Sequence, residues 1–171
     1  MILMYDNSLY LIMRFTESQQ FPNWLRYGIL LFTIILFIII VRSNGPNQFF
    51  PMTIIGLLIG FPGYIIHSWT QLTDIDTSYI NIKVKPFVNK QIPFTDIESW
   101  TVRSYKPILE YGGWGIRWGL KGTAYNVTGN KGLQLVLNSG KKILIGTQKD
   151  IELNRMMKSV SPEKEQALAD S

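Results

Sequence analysis

Two long stretches without a charged side chain constrain this chain more than any other feature. Between Arg26 and Arg42 every residue is uncharged, and from Ile29 to Val41 nearly all are Ile, Leu or Phe; from Ser43 to Thr73 there is again no formal charge. As a helix, Tyr27 to Val41 measures about 22 Å at ~1.5 Å per residue, short of a ~30 Å hydrocarbon core, and extension to Trp24 brings it to about 28 Å. Arg26 and Arg42 then reach outward to water, and Trp24 and Tyr27 fall at the depth of an aromatic belt. Phe49 to Trp69 gives a second helix of about 31 Å. A transmembrane segment over 24–70 is therefore expected, with helices at about 24–42 and 49–69.

The intervening SNGPNQ (Ser43–Gln48) is too short and too rich in Asn, Gly and Pro to hold structure, so the helices form an antiparallel pair. Pro51 falls in the first turn of the second helix, where its missing N–H is harmless. Gly60, Pro62 and Gly63 predict a kink. Gly56, Gly60 and Gly63, spaced by four and three, are the candidate helix-packing residues, because small side chains permit close approach. Arg14, Arg26, Lys83 and Lys85 lie on one side of the pair against Arg42 on the other, which places both termini in the cytoplasm. The expectation is a multi-pass protein of the inner (plasma) membrane, with the lipid bilayer as its first partner.

Composition adds exclusions. Hydrophobic residues make up 46% and charged residues 17%, and there is no cysteine, which removes disulfides, thiolate nucleophiles and cysteine-ligated metals. Met1 to Met13 lacks a basic start and a small-residue cleavage site, so no cleaved signal is expected. Either Met1 or Met13 is the start, and 1–23 is read as an N-terminal juxtamembrane segment.

Beyond residue 72 the period changes to two. Ile80, Ile82 and Val84 alternate with Asn81, Lys83 and Lys85, and Leu133, Leu135 and Leu137 with Gln134, Val136 and Asn138. Both read as half-buried strands. Asn138-Ser139-Gly140-Lys141 turns the second of these into Lys142–Ile145. Leu72–Ile75, Ser99–Tyr105, Gly115–Leu120 and Thr123–Val127 complete about seven short strands, a sandwich or partly open barrel. A helix from about Asp150 to Val160, capped by Thr147, carries Leu153, Met156, Met157 and Val160 on one stripe. The tail, 161–171, is polar and expected to fray.

Four segments carry a family resemblance: Ile92-Pro93-Phe94-Thr95-Asp96-Ile97-Glu98, Tyr111-Gly112-Gly113-Trp114-Gly115-Ile116-Arg117, Ala124-Tyr125-Asn126-Val127 and Gly140-Lys141-Lys142-Ile143-Leu144-Ile145-Gly146-Thr147-Gln148. Over about 72–160, together with the helical pair, the chain resembles the pleckstrin-homology-like domains that bacteria append to a transmembrane hairpin. The resemblance implies an α+β architecture in which a seven-stranded bent sheet or barrel is capped by a C-terminal helix. It transfers no catalytic residue and names no ligand.

From Arg103 to Lys142 there are seven basic residues and one acid, Glu110. Arg103, Arg117, Lys121, Lys131, Lys141 and Lys142 are the candidate contacts to an anionic leaflet, at about 1 kcal/mol per cation near the surface, against the plain alternative of a solvated face. Trp114 and Trp118 are candidates to dip into headgroups, although such residues more often fill a core. The glycine-rich 112–119 and 122–132 lack any nucleotide-loop pattern and read as turns and bulges. His67 lies at the end of the second apolar helix, an interfacial position. Asp74, Asp76, Asp96 and Glu98 read as turn-capping or solvated acids, and the sequon Asn126-Val127-Thr128 has no role in a cytoplasmic domain. No enzyme activity, cofactor, metal or nucleic-acid partner is expected. The expected function is a membrane-anchored binding module at the cytoplasmic face that engages anionic lipid headgroups or a partner protein, with a homo-oligomer as a further partner to consider. The alternative is a structural or accessory subunit of a larger membrane protein complex, packed through its helical hairpin.

Overall fold

The computed structural model describes residues 14–43, 49–119 and 121–166. The first thirteen residues, the expected connection at 44–48, the expected strand end at residue 120 and the last five residues lie outside the described residues. The chain divides into two compact units, one running from Gln20 to Trp69 and the other made of what flanks it on both sides.

The helical unit consists of α1 (Asn23–Ser43) and α2 (Phe49–Ser68). α2 runs through Pro62 as one element. The order of their contacts is reversed along the two axes. A Cβ at Gly56 would press on the Phe37 ring, one at Gly63 would meet the Thr33 methyl at 3.2 Å, and one at Gly60 would meet nothing within 4 Å. Near the other end of α1, Arg26 Nε donates to the His67 carbonyl at 3.1 Å and Tyr27 meets the His67 ring edge-on at 5.7 Å. One of the two helices, over Asn23–Arg42, is long and apolar enough to cross a membrane; among the described residues of the other, only the stretch Ile54–Ser68 is apolar, and it is shorter than a span, so the expected pair of spanning helices reduces to one candidate.

The second unit is α+β, as expected, but where one seven-stranded bent sheet or barrel was expected it holds nine described strands in two sheets, neither closed. The strands are β1 (Phe15–Gln20), β2 (Thr70–Ile75), β3 (Tyr79–Lys85), β4 (Val88–Pro93), β5 (Ile97–Ser104), β6 (Gly115–Gly119), β7 (Gly122–Asn126), β8 (Lys131–Leu137) and β9 (Lys142–Thr147). They are ordered β1-β2-β3-β4 in one sheet and β5-β8-β9-β7-β6 in the other. Antiparallel meanders account for most of this, but β7 and β9 run parallel, with Thr123 opposite Ile143. Between β5 and β6 lies a one-turn helix, α3 (Pro107–Tyr111), and α4 (Asp150–Val160) follows β9.

The alternation read from sequence sets which faces turn inward. Ile80, Ile82 and Val84 on β3, Leu133 and Leu135 on β8 and Ile143, Leu144 and Ile145 on β9 are buried, with Trp100, Leu153 and Met157 among them. Each such side chain contributes about 1.5–3 kcal/mol on transfer from water. Thr147 does not cap α4: no side chain caps the helix at Lys149. Instead its hydroxyl donates to Glu17 at 2.5 Å and accepts the Lys149 amide at 3.0 Å.

Two further expectations need correction. The segment 1–23, read from sequence as an N-terminal juxtamembrane stretch without a strand, contains one: β1 is an edge strand of the first sheet, beside β2. Its inward residues are Phe15, Glu17 and Gln19, so two of three are polar. Glu17 accepts from the Thr147 hydroxyl and the Gln148 amide, and Gln19 donates to the Gly146 carbonyl, as does Gln71 of β2. The start of the tail does not fray either. Trp100 Nε1 donates to the Ser161 carbonyl at 2.7 Å, Pro162–Lys164 makes a 3-10 turn, and the Gln166 amide donates to the Trp100 carbonyl at 2.8 Å.

Candidate functional site

Two turns and a strand border one groove of the β unit. The first joins β8 to β9 through Asn138–Lys141. It closes with the Gly140 amide on the Leu137 carbonyl at 2.7 Å, and Gly140 takes a left-handed conformation, φ 76°. Asn138 ties this turn to Thr95 and Asp96, which lead into β5. The second is the tip of the β6–β7 hairpin, where Gly119 pairs with Gly122. Gly122 has φ 108°, and a Cβ there would collide with the Lys142 carbonyl oxygen. Only glycine lets β7 lie against the start of β9. The third contribution comes from the other sheet, where Lys90 of β4 stands opposite Ile82.

The resulting groove has a volume of about 480 Å³ and is walled by Lys90, Lys141, Lys142, Thr123 and Trp118. Trp118, on its rim, is 77% exposed. Among the described residues no carboxylate lies within ion-pair distance of the three lysines. The Lys90 amine is held below its ordinary range, first by its partial burial and then by the charge of Lys141. Like charges sharing a partly desolvated wall without a counter-ion raise the energy of the empty groove, and an anion that enters relieves it.

The remaining predicted cations are employed differently. Arg103 donates to both Glu110 oxygens, at 2.8 and 3.3 Å, and to Gln134 at 3.1 Å. Burial pushes the Glu110 carboxyl up, but the Arg103 fork, the Lys106 amide and nearby positive charge outweigh it and hold the group below the usual range. Lys121 is 4.0 Å from the same carboxylate, and Lys131 is 3.3 Å from Asp150. Arg117 Nε donates to the Trp114 carbonyl. Of the cations from 103 to 142, Arg103, Lys121 and Lys131 thus lie beside Glu110 or Asp150, while Lys141 and Lys142 line the groove with no carboxylate partner among the described residues. Lys90 has no apolar or motif signal in sequence; its strand, VNKQIP, has one fully buried residue, Ile92.

Of the two tryptophans, neither fills the core. Trp114 is 40% exposed with its indole N–H on the Gly129 carbonyl at 3.0 Å, and Trp118 stands at the groove. Among the carboxylates, Asp76 accepts the Ser78 and Tyr79 amides in a turn, and Asp74 takes the Arg14 guanidinium. No cluster of His, Asp or Glu suited to a metal occurs among the described residues. No protein-family model matches the chain, and no curated protein is similar to it.

Proposed function

We propose that this chain is a membrane-anchored, non-catalytic binding module of the pleckstrin-homology-like kind, whose β unit engages an anionic surface on the cytoplasmic side. The observation that carries this reading is the double connection between the units. Phe21 and Pro22 alone separate β1 from α1, Trp69 alone separates α2 from β2, and β1 and β2 are neighbours in one sheet. If α1 and α2 cross the bilayer as an antiparallel pair, the β unit cannot leave the surface by more than the reach of one or two residues, ~3.5 Å each. Permanent proximity makes weak cation–headgroup contacts effective, because the second contact is intramolecular. The apolar side chains that α1 and α2 turn outward support the crossing, since a water-soluble surface exposing Leu31, Phe32, Leu57, Leu58 and Phe61 together would aggregate.

Substituted-cysteine labelling tests the topology, because the chain has no cysteine of its own. With Asn47→Cys and Ser159→Cys introduced separately into the full chain, an impermeant maleimide should label position 47 in intact cells and position 159 only after lysis. Labelling of both from outside, or recovery of the chain in the aqueous fraction after carbonate washing, overturns the reading.

A second reading, an accessory subunit of a larger membrane complex, draws on a different feature. An apolar groove of about 520 Å³ lies between α1 and α2, lined by Leu30, Thr33, Phe37, Gly60 and Tyr64, and Gly60 is open to a further helix. Purification in mild detergent separates the two, since a subunit brings stoichiometric partners.

A further inference from the structure

We propose that the groove between β4, the β6–β7 hairpin and the β8–β9 turn is a binding site for a phosphomonoester, presented at the bilayer surface as a lipid headgroup, with Lys90, Lys141 and Lys142 as its donors. The inference rests on the reading of the chain as membrane-anchored and names the ligand class of its groove.

Charge and stoichiometry select the ligand. Three ammonium groups without a carboxylate partner among the described residues offer an excess of positive charge that a single negative charge leaves unbalanced. A terminal phosphate carries about −1.5 to −2 near neutrality and three acceptor oxygens, whereas a phosphodiester carries one charge and is flanked by substituents on two sides. The walls are also built for close approach. Gly119, Gly122 and Gly140 line the groove without side chains. Its volume, about 480 Å³, is in the range of sites for small molecules. Lys90 comes from the opposite sheet to Lys141 and Lys142, so a bound anion bridges elements that no ion pair between described residues links across the groove. The partial burial of Lys90 and the neighbouring charge of Lys141, which lower its proton affinity, are both offset by an anion beside it. Trp118 on the rim, an amphipathic ring with an exposed face, suits the depth of the headgroups themselves.

Acylation footprinting of the full chain in nanodiscs is the test. The lipid arms are neutral phosphatidylcholine alone, the same with a phosphatidylglycerol fraction, and the same with phosphatidic acid. A fourth arm adds soluble glycerol phosphate to neutral discs. In phosphatidic acid discs Lys90, Lys141 and Lys142 should be acylated at least about fivefold more slowly than in neutral discs, while Lys149 and Lys158 are unchanged; one cation–headgroup contact is expected to give about that factor. Protection of the same three lysines by glycerol phosphate supports the phosphomonoester chemistry and assigns the source to solution. Equal protection in phosphatidylglycerol discs overturns the site in favour of a diffuse cationic face, and leaves the proposed function standing. Protection in no disc overturns both. Lys90→Gln should abolish the protection of Lys141 and Lys142. Because Lys90 is half-buried, Lys141→Gln/Lys142→Gln, at exposed positions where the turn enters β9, provides the same test through Lys90 without risk to folding.

Discussion

The two units of this molecule use one kind of side chain to opposite ends. In the helical unit Leu57 is 67% exposed and Leu58 70%, while in the β unit Leu133, Leu135 and Leu144 are fully buried. Two helices cannot cover one another's circumference, so burial inside the protein cannot account for the outward leucines of α1 and α2. Two sheets with alternating strands can hide one face of each, and do. The lesson is that apolar content says little until the solvent of each segment is known. A leucine in the β unit stabilises the fold, whereas the outward leucines of α1 and α2 leave apolar surface that the protein itself does not cover.

The sharpest way to break this contrast is to truncate one leucine of each kind in the full chain, held in neutral detergent. Leu135→Ala should lower the stability of the β unit by about 2–5 kcal/mol, the cost of a cavity in a packed core. Leu58→Ala should change it by no more than about 0.5 kcal/mol, as for a surface site. Denaturation followed through the near-ultraviolet signal of buried Trp100 reads both. Equal effects would show that the two units share one cooperative core.

Within the β unit the same comparison applies to two glycines that both adopt positive φ. Gly122→Ala forces a methyl into the Lys142 carbonyl and should cost about 2–4 kcal/mol, combining backbone strain with overpacking. Gly140→Ala meets only open space and should cost about 1–2 kcal/mol from the left-handed conformation alone. Both flank the lysine groove, so loss of ligand protection in Gly122→Ala with retention in Gly140→Ala assigns the groove's shape to the β7–β9 approach.

The seam between β1 and the rest of the unit is a third place to press. Glu17 is buried and accepts two hydrogen bonds from the chain around Thr147 and Gln148. Glu17→Ala leaves both donors without a partner and should cost about 1–3 kcal/mol. Hydrogen exchange should localise the loss to β1 and the end of β9. If exchange rises throughout both sheets instead, β1 is integral to the core rather than a strap along its edge.

How much of this could be read from sequence follows from the same physics. Strands β3 and β8 were legible because every second residue is Ile, Val or Leu, and α4 because Leu153, Met156 and Met157 recur at helical spacing. β1 was not, because FTESQQ turns Glu17 and Gln19 inward; a buried polar face mimics a solvated one until its partners, more than a hundred residues away, are known. β2 hides its register similarly, burying Gln71 and Thr73 while Leu72 stays half-exposed. For the groove, Lys141, Lys142 and Trp118 were named from the local charge and aromatic pattern. Lys90 was not, since only the pairing of the sheets brings it there. Charge counting also overstated the free cations, because Arg103 is neutralised by the one acid in its stretch, and that pairing depends on the turn at α3.

The smallest expected effect concerns the other carboxylate of the β1 seam, and it separates exposed from buried charge within one strand pair. Arg14 forks onto both oxygens of Asp74, at 2.8 and 2.7 Å, and the Thr16 hydroxyl adds a bond at 3.0 Å. The Arg14 bonds hold the Asp74 carboxyl below its ordinary value, against the upward push of its burial. Because the folded value lies below the unfolded one, the contribution is complete above about pH 4 and disappears as pH falls through the folded value. The Arg14 side chain is 62% exposed, so solvent and salt screen most of the attraction. Asp74→Asn should therefore flatten the acid limb of the stability profile while lowering the melting temperature at neutral pH by only about 2 °C. Raising the salt concentration should remove part of the same difference in the unmodified chain and should affect the Glu17 seam less, since the Glu17 carboxylate and its bond from Thr147 are buried. If salt erodes both equally, the two carboxylates share one solvent-accessible seam, and β1 is held by surface charge rather than by its buried face.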